Sequence, residues 1–183
     1  MMQTRNRKRL QLVLLASLFI LPMGVAALLV FSGWVPDGRS YGEGIVPQRV
    51  VDKVPVELAD GTRLEWHDPD WRWSVVAIPG RRCAEECMSQ LDQLHRAKIS
   101  LNQRANRVRL LYLGTPPVGA DAGALMQAWD VGKDLDNEFA EWAPDADDGL
   151  AVVLVKPDAI ALTHYANGFN ASGLRKDLAK VTK

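Results

Sequence analysis

Histidine and cysteine are scarce in this sequence, with three of the former and two of the latter in 183 residues. No His-Glu-x-x-His pattern, no phosphate-cradling glycine loop and no Ser/His/Asp set in a recognisable context accompanies them. Zinc-helix, phosphate-loop and serine-hydrolase chemistries therefore lose their sequence support. An excess of charge is missing as well, since 22 Lys+Arg balance 22 Asp+Glu. The balance is uneven along the chain: Arg5, Arg7, Lys8 and Arg9 precede every acidic residue, and setting those four aside leaves 18 basic against 22 acidic. A mildly acidic remainder gives no electrostatic reason for a nucleic-acid partner. The length allows one ordinary domain plus an anchor and gives no support for two folded domains.

After the basic cluster comes an apolar run over residues 10–31, in which Gln11 is the last strongly polar side chain. A helix needs about twenty apolar residues to cross a hydrocarbon core, whereas a signal-peptide core is shorter, about 7–15 residues. The run is expected to be a retained transmembrane anchor in contact with membrane lipid. By the positive-inside rule residues 1–9 stay cytoplasmic, and Trp34 is expected at the far interface as an aromatic anchor. Residues 32–45, with Gly, Pro and Ser and no hydrophobic period, read as a linker. Residues 46–183 read as one domain displayed on the periplasmic side of a cell inner membrane by a single pass.

Within that domain, residues 54–58 and 62–66 alternate in period two around Asp60-Gly61, a hairpin signal. Residues 73–78 form a compact β-branched run stopped by Pro79-Gly80, expected to be a buried central strand. Residues 84–106 contain no Gly or Pro and carry apolar side chains at helical spacing, which predicts an amphipathic helix of about five turns. A second buried strand is expected at 108–113, helices at 122–129 and 134–142, and a third strand at 150–155 turning back as a hairpin into 160–165. A last helix, 174–181, has Ser172 as candidate N-cap. Strand, helix, strand in this order favours a parallel crossover. The whole describes an α/β, thioredoxin-like fold, a mixed sheet flanked by helices, preceded by one N-terminal transmembrane helix.

Cys83-Ala84-Glu85-Glu86-Cys87 places two thiols four residues apart where the first core strand passes into the long helix. Backbone N–H groups and the positive helix end can stabilise a thiolate there; Arg81 and Arg82 act in the same direction, Glu85 and Glu86 against it. At i and i+4 on the first turn both sulfurs face one side. They can co-ligate a soft ion such as Cu(I) or, with local unwinding, form a disulfide. An exported domain meets an oxidising compartment, where either outcome is open. Cys83 and Cys87 are the candidate catalytic pair and the candidate metal ligands.

These cysteines, the anchor, the stretch Ser40-Tyr41-Gly42-Glu43-Gly44-Ile45-Val46-Pro47, the segment 73–88 and the end over 152–178 resemble the Sco/SenC-type assembly proteins of cytochrome c oxidase. Val155-Lys156-Pro157-Asp158 and Gly173-Leu174-Arg175-Lys176-Asp177-Leu178 are similar to the small bacterial, membrane-anchored, thioredoxin-like members of that group. The resemblance implies delivery of Cu(I) to an oxidase subunit, or reduction of that subunit's cysteines so that copper can enter. It also implies a histidine ligand near the end of the penultimate core strand, in an Asp-His pattern. The corresponding stretch here is Val155-Lys156-Pro157-Asp158, with no histidine, and Met88 stands where a proline commonly follows the second cysteine. His164 is the candidate substitute ligand. His95, eight residues after Cys87, lies about 12 Å along the helix at about 1.5 Å per residue and cannot join the site directly. His67 belongs to a loop beside the first core strand.

Oxidoreductases of this fold typically use a CxxC spacing and a cis-proline ahead of the strand facing the site, where this chain has Asp147-Asp148-Gly149. That argues against general disulfide-forming activity and leaves a substrate-specific thiol-disulfide reductase open. The competing reading is a non-catalytic periplasmic interaction module that keeps a structural disulfide. Asp145, Asp147 and Asp148 read as a solvated acidic loop, and Trp66, Trp71 and Trp73 as packing around the first core strand, with Trp71 available to a partner if exposed.

Overall fold

The computed structural model describes residues 3–31 and 40–183. The expected interface residue Trp34, the linker segment 32–39 and the side chains of Arg5, Arg7, Lys8 and Arg9 lie outside the described residues. The chain divides into two compact units, one ending at Arg39 and the other running from Ser40 to Lys183.

The first unit contains helix α1, Gln3–Phe31, with Pro22 inside it. Its described side chains from Leu14 onward are all exposed, among them Leu14, Leu18, Phe19, Leu21, Leu28 and Phe31. Among the described residues no helix is long and apolar enough to cross a membrane. The expected span, 10–31, includes side chains outside that set, those of 10–13, 26, 29 and 30.

The second unit is built on a seven-stranded mixed sheet. Its strands are β1 (Glu43–Val50), β2 (Val56–Leu58), β3 (Trp73–Pro79), β4 (Val108–Leu113), β5 (Asp130–Asp134), β6 (Leu150–Val155) and β7 (Ile160–Tyr165), in spatial order β1-β7-β6-β3-β4-β5-β2. The pairs β3·β4 and β4·β5 are parallel and the other neighbours antiparallel. Three helices belong to this unit: α2 (Glu85–Ile99), α3 (Ala120–Met126) and α4 (Ala171–Val181). Every residue of β4 and β6 is buried, which is why Val-Arg-Leu-Leu-Tyr-Leu and Leu-Ala-Val-Val-Leu-Val read as near-continuous apolar runs rather than alternating ones.

The sheet has two differently covered faces. One carries Val75, Ala77, Leu110, Tyr112, Val152 and Leu154, clustered with Leu91 and Leu94 of α2 and Leu174 and Leu178 of α4. The other carries Val76, Ile78, Leu111, Val153 and Val155, clustered with Val51, Val56, Trp66 and Phe139. Trp66 stacks on Phe139 with ring centroids 5.5 Å apart. Trp71, by contrast, is 70% exposed.

Four expectations change. The 54–66 hairpin closes, with Leu58 N–H donating to Thr62 O at 2.8 Å and Leu64 N–H to Val56 O at 2.9 Å, but only its first arm is a strand, and that strand joins β5. The long helix stops at Ile99; Asn102, at φ 53°, sits in the left-handed region where a right-handed helix cannot continue, and a 3-10 turn follows. Residues 130–134, expected to hold a helix break and the start of a helix over 134–142, form β5, and of that helix only a 3-10 turn, Ala140–Trp142, is present. Gly132 of β5 lets β2 approach, because a Cβ there would stand 2.8 Å from the Val56 side chain. The last helix begins at Ala171 and is capped by Asn170, whose Oδ1 accepts from Gly173 N–H at 3.1 Å, not by Ser172.

The expected linker also ends sooner than 45, because β1 begins at Glu43 and pairs with β7. Ser40 and Tyr41 are held to α4 by Asp177. The Asp177 Oδ2 accepts from Tyr41 N–H at 2.6 Å, Ser40 Oγ–H at 3.1 Å and Tyr165 Oη–H at 3.0 Å, while Oδ1 accepts from Lys180 Nζ at 2.8 Å. Burial pushes the Asp177 carboxyl upward. The hydrogen bonds from Lys180, Tyr41 N–H, Tyr165 and Ser40 outweigh it and hold the group below the ordinary carboxylate value. A carboxyl depressed in the folded state stabilises above its unfolded pKa, and that contribution is lost as pH falls through the folded value. Asp177→Asn is therefore expected to cost about 2 kcal/mol in urea unfolding at neutral pH, because it removes the charge from a buried carboxylate that accepts several hydrogen bonds. The gap to the parent chain should close as pH falls below about 4; a gap independent of pH would contradict the assignment.

Candidate functional site: a disulfide at a strand-helix junction

The apolar run of β3 ends at Pro79-Gly80, exposed Arg81 and Arg82 follow, and α2 begins two residues after Cys83. This short connection puts Cys83 in the loop and Cys87 on the first turn of the helix. The two are joined as a disulfide, with Cα atoms 5.0 Å apart. Cys87 is fully buried in the helix-covered core, whereas Cys83 is half-buried at its rim. A reagent arriving from solvent therefore meets the Cys83 sulfur first.

The first turn of a helix has N–H groups without intrahelical partners, and Ala84, at the cap position of α2, supplies no side-chain acceptor. Asp148 supplies it from the loop before β6. Its Oδ1 accepts from Ala84 N–H at 2.6 Å and from Cys87 N–H at 3.3 Å, and its Oδ2 accepts from Glu86 N–H at 3.0 Å. Desolvation raises the Asp148 pKa, but the N–H donors of Glu86, Ala84 and Cys87, with Arg82 nearby, prevail and keep it below the ordinary value. The same loop meets the cysteine loop backbone to backbone: Gly80 N–H donates to Gly149 O and Arg82 N–H to Asp147 O, each at 2.9 Å. Behind the clamp, Asn167 Oδ1 accepts from Leu150 N–H at 3.0 Å and from Gln90 Nε2 at 3.4 Å, so the buried Gln90 of α2 is tied to the start of β6.

The structure gathers Cys83, Cys87 and Asp148 and leaves the histidines elsewhere. His164 of β7 pairs with Val153 of β6, and Val153 belongs to the face opposite the one holding Cys87. Paired residues of adjacent strands share a face, so His164 lies across the sheet from the disulfide, beside Trp142 and Glu43. The register therefore does not bring the expected substitute ligand to the cysteines. His67 is exposed and bridges Asp158 through the backbone. His95 lies on α2 beyond the site, and Met88 is partly buried against the helix-side core. Leu150 pairs with Pro79 and Val155 with Ser74, so Val155-Lys156-Pro157-Asp158 stands at the sheet end remote from the cysteines and could bring no ligand to them. Among the described residues no group of three or more His, Cys, Asp or Glu is arranged to hold a metal ion.

In sequence Asp148 is indistinguishable from Asp145 and Asp147, its companions in an acidic loop. Its role is invisible locally, because its three N–H donors lie 61 to 64 positions earlier. The available signal was its place immediately before a core strand, in the loop where this fold faces its cysteines.

A mixed sheet with a cystine at the junction of its first core strand and the following helix, faced by the loop before an antiparallel neighbour, defines a thioredoxin-like protein. Residues 73–183 match the family described as the transmembrane-like, thioredoxin-like, C-terminal domain, and the chain belongs to it. No curated protein matches the sequence. Among solved structures, the apo Sco1 protein from Thermus thermophilus aligns with a TM-score of 0.57 at 16% identity, over 80% of this chain and 99% of its own. BsSco, a member of the Sco family of cytochrome c oxidase assembly proteins in which a disulfide switch was identified, aligns at 0.53 and 14% identity, over 74% and 95%. ScoI from Arabidopsis thaliana, with copper bound, aligns at 0.52 and 11%, over 77% and 97%. These likenesses establish a Sco-like thioredoxin fold.

At Gly80 the two loops leave no room for a side chain, since a Cβ there would be driven into the carbonyl oxygens of Ala146 and Asp147. Gly80→Ala is expected to destabilise the chain by about 1–3 kcal/mol. It should also make the disulfide more quickly reducible by dithiothreitol, as followed by thiol release. A variant with unchanged stability and reduction rate would show that the loops separate at no cost.

Proposed function

We propose that this chain is a membrane-tethered thiol-disulfide protein of the inner membrane, which reduces a cysteine pair on a partner exposed to the periplasm. The Sco-like fold supports a cytochrome oxidase subunit as that partner. The observation that carries the reading is the asymmetry of the cystine: Cys83 is reachable and Cys87 is fully buried behind it. Such a pair has a built-in attacking sulfur and a built-in resolving sulfur. Tethering is supported by α1, whose described apolar side chains are exposed along their length, and by the apolar character of residues 10–31 after a basic cluster.

In the reduced chain the Cys83 thiolate attacks one sulfur of the partner's disulfide, forming a mixed disulfide and releasing the other partner sulfur as a thiolate. The Cys87 thiolate then attacks Cys83 Sγ, the Cys83–partner bond breaks, and the partner's second thiol departs. Two electrons have passed to the partner, and the Cys83–Cys87 disulfide remains. A dithiol reductant restores the chain by the reverse sequence.

Copper delivery, the other task that the resemblance implies, would treat Cu(I) as cargo. Once reduced, the site offers two sulfurs, but the histidine expected to complete it lies across the sheet, so the donor set does not fit a three-ligand site.

The test uses the full chain in detergent micelles, reduced and mixed with a disulfide-bonded dicysteine peptide. Cys87→Ser is expected to accumulate a mixed disulfide through Cys83, and Cys83→Ser to form none. Equal trapping by both variants, or a reduction potential below about −300 mV for the parent pair, would assign the cystine to structure alone.

A further inference from the structure

We infer that Asp148 is a positioning residue that sets the redox poise of the Cys83–Cys87 pair, by occupying with a fixed negative charge the helix N–H groups that would otherwise stabilise a thiolate on reduction. The inference deepens the preceding reading and rests on it for the use of the pair. The donors at issue are few. The amides of Ala84, Glu86 and Cys87 all point at one carboxylate, and one of them is the amide of the buried cysteine itself.

Reduction adds two electrons to the cystine, breaks the sulfur–sulfur bond, and leaves two sulfurs that take up protons or remain as thiolates. Where a helix end and its N–H groups stabilise the thiolate, the reduced state is favoured and the disulfide is a strong oxidant. Here those groups are already engaged by an anion. A thiolate at either sulfur would stand close to that carboxylate, with Glu85 and Glu86 adding like charge; Arg82, beside Asp148, opposes it, as does Arg81, whose charge is shared with Asp147 at 3.8 Å. The clamp also fits the oxidised geometry, because the disulfide fixes Cys83 and Cys87 across the turn that presents the three amides. Charge and geometry thus both favour the disulfide. An ordinary helix cap would stabilise the fold without regard to redox state; this one is coupled to it because its hydrogen bonds end on the cystine's own turn.

The experiment equilibrates the full chain, in detergent, with reduced and oxidised glutathione at pH 7 and quantifies dithiol against disulfide. Asp148→Asn keeps the size and an acceptor oxygen but removes the charge, and Asp148→Ser substitutes a neutral cap of different shape. Both are expected to raise the equilibrium constant for reduction about tenfold, equivalent to a potential about 30 mV more positive. Asp148→Glu, which keeps the charge, should stay within about twofold of the parent. Equilibria within about twofold for both neutral variants, or a shift toward the disulfide, would overturn the inference. So would failure of both neutral variants to fold, which would make the residue purely structural. Since the measurement needs no protein partner, a failed peptide reaction leaves it intact, and an unshifted equilibrium leaves the peptide reaction intact.

Discussion

The antiparallel pairing of β3 with β6 is the constraint from which the site follows. It sets Pro79 beside Leu150, and so brings the turn that leaves one strand against the turn that enters the other. Gly80 and Gly149 then exchange a backbone hydrogen bond, Arg82 reaches Asp147, and Asp148 arrives at the first turn of α2. The strands are held by complete burial of apolar side chains on both faces, at roughly 25 cal/mol per Å² of apolar surface removed from water. The polar contacts at the cysteine end are few by comparison. The strands bring the loops together, and the loops in turn orient the cystine.

Much of this could be read along the chain. The three central strands, the α2 start, the 150–165 hairpin and the cysteine junction are local signals: unbroken apolar runs, helical spacing, and Gly or Pro at the ends. What escaped was set by distant partners. β5, with Asp-Val-Gly-Lys-Asp, has neither the apolar run nor the alternation of a strand, and exists because β4 offers it one edge and β2 the other. β1 lay partly hidden in a stretch read as linker, and becomes a strand by adding to β7. Asp148 carries no periodic signature at all, and its meaning comes from a helix more than sixty residues away in sequence.

The histidine question shows the same division between local and long-range information. A lone His on a strand invites assignment to a nearby site, and the period-two alternation of β7 alone leaves its face undecided. Register decides it: Tyr165 and Val152 lie on the cysteine side, His164 and Val153 on the other. The cysteine end is thus furnished with two sulfurs, amide donors and a carboxylate, and with no histidine. Tyr112, on the helix-covered face, is equally far from aqueous chemistry: burial pushes its hydroxyl up to about 12, and its Oη–H donates to Thr115 O at 3.0 Å.

The Asp177 cluster gives the second unit a closed circuit. Ser40 and Tyr41, its first residues, and α4, its last helix, meet on one carboxylate, while β1 lies along β7, which leads into that helix. The two ends of the folded unit are therefore buckled together. A load applied at Ser40 does not fall on β1 alone; it is divided between the β1–β7 ladder and the carboxylate buckle on α4. The cysteine turn stands outside that path, so the unit can be held by its beginning while its cysteine end keeps its shape.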